Sequence, residues 1–141
     1  MRRRFLLDSG AVELWMKPGS LVDIRAERAK ATGGILGYCG PVFGAMIAGI
    51  EGSDSREKNM SRFERASPGL VLWPYDKAAA REFGRLFAYL RKIGRPMQQI
   101  DIQIAAIALT LGQATVVSAD SDFTAIPDLA VENWSLPEPT P

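Results

Sequence analysis

Short apolar runs separated by longer stretches of mixed polarity dominate the chain. The runs at residues 4–7, 35–39, 70–73, 114–118 and 129–132 have the length of buried strands, and they show little of the strict alternation of a strand with one wet face. Between them apolar residues recur at helical spacing. Helices are predicted over 9–16, 20 to about 30, 41–51, 53–66, 76 to about 93, and from about 99 or 101 to 112, with a short turn or helix over 121–125. Ser20 and Asp76 stand where N-caps belong, Pro41 suits a helix start, and Pro18-Gly19, Gly33-Gly34, Pro68-Gly69 and Gly94-Arg95-Pro96 mark the breaks. Strands alternating with helices predict βαβ units. The expected fold is therefore α/β, a three-layer α/β/α sandwich around a mainly parallel sheet. Neither a repeat nor a linker divides the chain, so a single domain is expected over 1–141, with its core at about 4–134 and an extended, Pro-rich tail at 135–141.

Composition narrows the chemistry. Hydrophobic residues make up 47% and charged residues 23%, ordinary values for a globular protein and contrary to disorder. A net charge of +1 provides no global basic field for nucleic acid. Arg2 to Arg4, and Arg91, Lys92 and Arg95, are either local phosphate-binding patches or solvated faces. The single cysteine, Cys39, rules out an internal disulfide and a cysteine metal cluster, which fits a reducing cytoplasm. Without histidine, the Ser-His-Asp and Cys-His mechanisms are excluded and zinc is disfavoured. Carboxylate and metal chemistry passes that filter. The apolar stretch 35–50 is too short to span a bilayer and is broken by Pro41, so no membrane anchor is expected.

Three aspartates carry the candidate site. Asp8 closes the apolar run Phe5-Leu6-Leu7, Asp120 follows Thr115-Val116-Val117, and Asp101 opens an apolar helix. Ligands of parallel α/β sheets collect at the carboxyl ends of strands, where Asp8 and Asp120 are expected. Clustered carboxylates repel one another and resist burial, an arrangement that a bound cation such as Mg²⁺ relieves. Each residue also has a plainer reading. Asp8 serves as a strand-end turn residue, Asp101 as an N-cap, and Asp122 as a cap for the turn before Phe123. Ser9 either helps hold metal or product phosphate or caps the first helix. Arg95, near the loop before Asp101, is a candidate phosphate contact, and Trp15, Trp73 and Trp134 read as core or interface residues.

Four segments in order, Phe5-Leu6-Leu7-Asp8-Ser9-Gly10, Pro41 to Glu51, Pro96 to Gly112 with Asp101-Ile102-Gln103-Ile104-Ala105-Ala106, and Val116 to Phe123 followed by Ile126-Pro127, resemble the PIN-domain toxins of VapC type. The resemblance implies a Mg²⁺- or Mn²⁺-dependent ribonuclease, a small antitoxin that occludes its site, a cytoplasmic location and a homodimer. Carried over position by position, it makes Asp8, Asp101 and Asp120 the catalytic, metal-binding acids, with Asp122 auxiliary. Two positions depart from the family pattern. Gly10 stands where an Asn usually fixes the first acid, and Ala45 stands where the second acid should be Glu. Glu51, six residues on, lies about 600° further around the helix and is not expected to substitute. Two functional readings follow: a weakened nuclease, or a catalytically inactive PIN-like module that binds an antitoxin or RNA. A receiver-like domain would want a Lys on a late strand, and none follows Lys92. Apolar residues on the helix pair from Val42 to Phe63 are the expected antitoxin or dimer surface.

Overall fold

The computed structural model describes residues 2–138. The last three residues of the tail expected at 135–141 lie outside the described residues. Strands β1 (Arg4–Leu7), β2 (Ile35–Cys39), β3 (Val71–Trp73), β4 (Ala114–Val117) and β5 (Ala130–Glu132) form one sheet in the order β3-β2-β1-β4-β5. Every pairing is parallel, so the sheet is fully rather than mainly parallel. Helices α1 (Ser9–Trp15), α2 (Leu21–Ala31), α3 (Gly40–Glu51), α4 (Arg56–Ala66), α5 (Lys77–Lys92) and α6 (Gln99–Leu111) flank it in an α/β/α sandwich.

Burial explains why the strand runs are apolar. Leu6 and Leu7 of β1 are fully buried, as are Val116 and Val117 of β4, because both strands lie inside the sheet with helices above and below. At the edge of the sheet, β3 exposes two large apolar residues, Val71 and Leu72. Its approach to β2 depends on Gly37, where a Cβ would come within 2.5 Å of the Val71 carbonyl oxygen and the Trp73 ring.

The chain order creates a switch point. From β1 it steps to β2 and β3 on one side, then returns to β4 on the other side of β1 and continues to β5. Connections leaving β1 and β4 diverge, and a crevice opens at their carboxyl ends. The register Leu6↔Val116 and Leu7↔Val117 keeps those ends level, and the Asp8 N–H extends the ladder by donating to the Val117 carbonyl at 3.1 Å.

One boundary changes, and the two ends of the chain gain partners that the sequence did not indicate. Helix α4 starts at Arg56, not at residue 53, because the Ser53 hydroxyl bonds back to the Ile50 carbonyl at 2.7 Å and closes the end of α3. The described part of the tail is tied down. Glu138 pairs with Arg25 at 3.1 Å and with Arg28, while Trp134 packs its ring 5.1 Å from that of Phe5. The arginines at the start are equally committed: Arg2 donates to the Gly33 carbonyl, Arg3 pairs with Glu132 at 2.9 Å, and Arg4 donates to the Leu111 and Gly112 carbonyls. No helix among the described residues is long and apolar enough to cross a membrane.

Candidate active site at the ends of β1 and β4

Asp8 follows the last residue of β1 and caps α1. Its Oδ1 accepts the Ala11 N–H at 2.8 Å, and its Oδ2 accepts the Ser118 hydroxyl at 2.5 Å. Ser118 Oγ in turn accepts the Asp120 N–H at 3.0 Å. One buried hydroxyl therefore joins the first acid to the backbone of the last. Asp120 caps a 3₁₀ turn over Ser121–Ala125, with its Oδ1 accepting the Asp122 N–H at 2.9 Å. The cap of this turn is thus Asp120, while Asp122 is exposed and supplies the donor.

Asp101 is not a cap. Gln98 holds the N-cap position of α6 and makes no side-chain cap bond, which leaves Asp101 inside the first turn, where the helix dipole favours its charge. Burial raises its pKa, and the charges of Asp120, Asp8 and Asp122 raise it further, to about 6. Four acids thus share one electrostatic neighbourhood. Burial likewise pushes the Asp8 carboxyl up, against the bonds from Ser118 and Ala11, with the Asp120 charge adding to the rise. No ion pair among the described residues involves any of the four.

The donor set suits a hard cation in its chemistry, since every side chain offers carboxylate oxygen. Among the described residues no group of three or more His, Cys, Asp or Glu side chains stands ready to hold a metal ion by direct ligation. That spacing remains compatible with Mg²⁺, which usually keeps several waters and takes only one or two protein carboxylates.

Ala45 of α3, at the position expected to carry the second acid, provides none. It lines a groove of about 500 Å³ together with Ser9, Glu13, Arg62 and Phe63. Ser9 therefore faces this groove and does not cap α1, a task that Asp8 performs. Glu51 is engaged elsewhere: Arg56 holds it at 2.7 Å, and the bond from Arg56 lowers its pKa. Arg95 lies exposed in the loop before α6 and is not among the charges that act on Asp101. On the helix pair expected as a partner surface, Val42 and Phe63 are buried in the core, whereas Phe43 is exposed.

Ser118 escaped the sequence reading. Its signal was a polar residue closing the apolar run Val116-Val117, two positions before Asp120. A second missed feature is a cavity of about 240 Å³ on the other side of the acids, lined by Asp8, Ser118, Asp120, Asn133, Trp134 and Ser135 among others.

A parallel sheet in this order, with acids gathered at the switch point, defines a PIN-like domain. No protein-family model matches the chain. It is 32% identical over 90 residues to the tRNA(fMet)-specific endonuclease VapC of Shigella flexneri, covering 64% of this chain and 68% of that relative. Ribonuclease VapC2 of Haemophilus influenzae is 33% identical over 86 residues, 61% of this chain and 65% of that relative. In the solved structure of DNA-bound VapBC from Salmonella typhimurium, the matching chain superposes with a TM-score of 0.84 at 25% identity, covering 95% of this chain and 99% of that one. The chain belongs to the VapC family of PIN-domain ribonuclease toxins.

Proposed function

We propose that the protein is a metal-dependent endoribonuclease, the toxin of a toxin–antitoxin pair, acting in the cytoplasm through Asp8, Asp101 and Asp120. The observation that carries this reading is the gathering of these acids, with Asp122 beside them, at the β1/β4 switch point without a paired cation. A Mg²⁺ or Mn²⁺ ion held by Asp8, Asp101 and Asp120, partly through water, would neutralise phosphate charge and lower the pKa of a bound water. The chain's own residues supply the positioning. Ser118 and the Ala11 N–H fix both oxygens of Asp8, so the first acid cannot swing away. Asp101 is held by a helix and not by a loop, and Asp122 keeps an auxiliary place at the rim. Ser9, in the adjoining groove, and Arg95, on its exposed loop, are the proposed contacts to the RNA strand.

The VapBC complex of Salmonella supports an antitoxin as partner, and a homodimer is part of the same proposal. Transfer RNA is the first substrate to try, because the Shigella relative is specific for tRNA(fMet). Ala45 favours a second reading, a catalytically silent PIN-like module that binds RNA or antitoxin.

Cleavage of tRNA and of unstructured RNA with Mg²⁺ or Mn²⁺ tests both. The proteins to compare are the chain itself, Ala45→Glu, and Ala45→Glu with Asp8→Asn. Cutting by the unaltered chain that rises with Ala45→Glu and vanishes with Asp8→Asn supports the nuclease. Cutting seen only with Ala45→Glu supports the silent module. Three folded but inactive proteins would overturn the nuclease reading.

A further inference from the structure

We infer that the groove between α1, α3 and α4 is a phosphate subsite for the RNA strand, in which Lys17 and Arg62 hold a backbone phosphate next to the one that reacts at the acids. The inference rests on the ribonuclease reading and extends it to how the strand is gripped outside the acid cleft.

Charge is the first argument. The groove of about 500 Å³ carries two cations, Lys17 and Arg62, against one anion, Glu13. A Glu at position 45 would have balanced them, so the same alanine that thins the acid cluster leaves this groove with a positive excess. Neither cation is neutralised in place. Arg25, Arg28 and Arg56 are held by carboxylates, whereas no ion pair among the described residues involves Arg62 or Lys17, although Glu13 stands one helical turn before Lys17. The fitting occupant is an anion.

Position and shape narrow that anion to a phosphate of a nucleic-acid strand. Ser9 lines the groove and Asp8, the residue before it, belongs to the acid cleft, so groove and cleft adjoin at the junction of β1 and α1. Ala45 and Gly49 line it one turn apart on α3, and a Cβ on Gly49 would meet nothing within 4 Å. That wall lets a sugar–phosphate chain come close. The groove is also preformed. Asn59 donates to the Ser53 hydroxyl at 3.1 Å and Ser53 to the Ile50 carbonyl at 2.7 Å, which ties the start of α4 to the end of α3. Arg62 donates from Nη2 to the Met16 carbonyl at 3.2 Å, at the end of α1, so one bond orients its guanidinium, and no other hydrogen bond from it occurs among the described residues. The remaining N–H groups form the planar fork that matches phosphate oxygens. A phosphodiester chain carries a charge at every step, so one strand serves the groove and the metal-loaded acids at once.

The test is binding of a labelled, unstructured RNA oligonucleotide to the full chain in EDTA, where no strand is cut, followed by fluorescence anisotropy over a range of salt concentrations. Lys17→Gln and Arg62→Gln should each weaken binding by roughly threefold to tenfold and flatten the slope of log affinity against log salt by about 0.7, the amount carried by one phosphate contact on a single strand. Arg62→Lys keeps the charge and should keep the slope. Ala45→Glu should weaken binding as well, even though it adds an acid that favours cleavage once metal is present. Unchanged affinity and slope in both Lys17→Gln and Arg62→Gln overturns the subsite. Binding of a polyglutamate peptide of equal charge more tightly than the RNA, lost in the same variants, overturns it in favour of an acidic peptide. Weakened RNA binding in these variants while no protein cuts RNA upholds the subsite as the nuclease reading fails. Cleavage by the Lys17→Gln, Arg62→Gln double variant at an unaltered KM does the reverse.

Discussion

The acid cleft has two walls built on different rules. On the sheet side, Asp8 and Asp120 stand at strand ends and are held by a chain of hydrogen bonds through Ser118. On the helix side, Asp101 is placed by α6 without a side-chain bond to steady its charge, and α3, which lines the neighbouring groove with Ala45, Met46, Gly49 and Ile50, contributes no acid to it. Burial raises the proton affinity of both Asp8 and Asp101, but for Asp8 two donated hydrogen bonds counter it, while for Asp101 three neighbouring charges reinforce it. The sheet wall is pre-set and the helix wall is electrostatically loaded, so the two respond to different perturbations.

Removing the loaded acid should have the largest effect. Asp101→Asn is expected to lower RNA cleavage by roughly 100-fold or more, measured as kcat/KM with Mg²⁺. The same change should make the metal-free protein more stable near neutrality. Asp101 binds its proton more tightly folded than unfolded, so between the ordinary carboxylate value of 3.8 and about 6 the native state holds more protons. Stability of the metal-free chain therefore falls as pH rises through that window and levels off above it. Thermal unfolding across the window should show this slope reduced in Asp101→Asn; an unchanged slope would place its source elsewhere.

Next comes the clamp of the sheet wall. Ser118→Ala should reduce cleavage by about 10- to 100-fold, the range typical of residues that orient a metal ligand. It should also raise the Asp8 pKa further, since the bond from Ser118 is the largest influence lowering it. Carboxyl titration by NMR reads this directly, and Ser118→Thr should restore part of both properties.

Ala45→Glu works in the opposite direction, restoring an acid to the helix wall. Cleavage should rise by about tenfold. The added charge should push the Asp101 proton affinity above its present value, giving a steeper loss of metal-free stability at neutral pH. Glu51→Ala should have the smallest effect: its solvent-exposed pair with Arg56 is screened by water, so thermal unfolding should shift little and cleavage should be unaltered.

Much of this arrangement was legible in the sequence because buried parallel strands and amphipathic helices write their periods plainly. Phe5-Leu6-Leu7-Asp8 and Val116-Val117 located the strand ends, and the switch point followed from topology. The role of Ser118 was not legible, since a serine at a strand end reads equally well as a turn residue until the partner strand brings Asp8 alongside. The docking of Glu138 on α2 was hidden for a related reason: a Pro-rich segment looks extended, and its ion pairs lie far away in sequence. Asp101 looked like a cap because an acid at a helix start often is one. The actual start three residues earlier, at Gln98, carries no such signature.

The hydroxyl that joins Asp8 to Ser118 spans 110 positions of the chain. During synthesis Asp8 emerges well before Ser118, and β2 and β3 can form before the strand that completes the centre of the sheet exists. Such long-range parallel pairing is late and slow in folding. The acid cleft is therefore assembled only after β4 has been made, and Trp134, the wall of the adjoining cavity, arrives later still. Until β4 joins β1, Asp8 lacks its clamp, so the first acid is made long before it has a cleft to belong to.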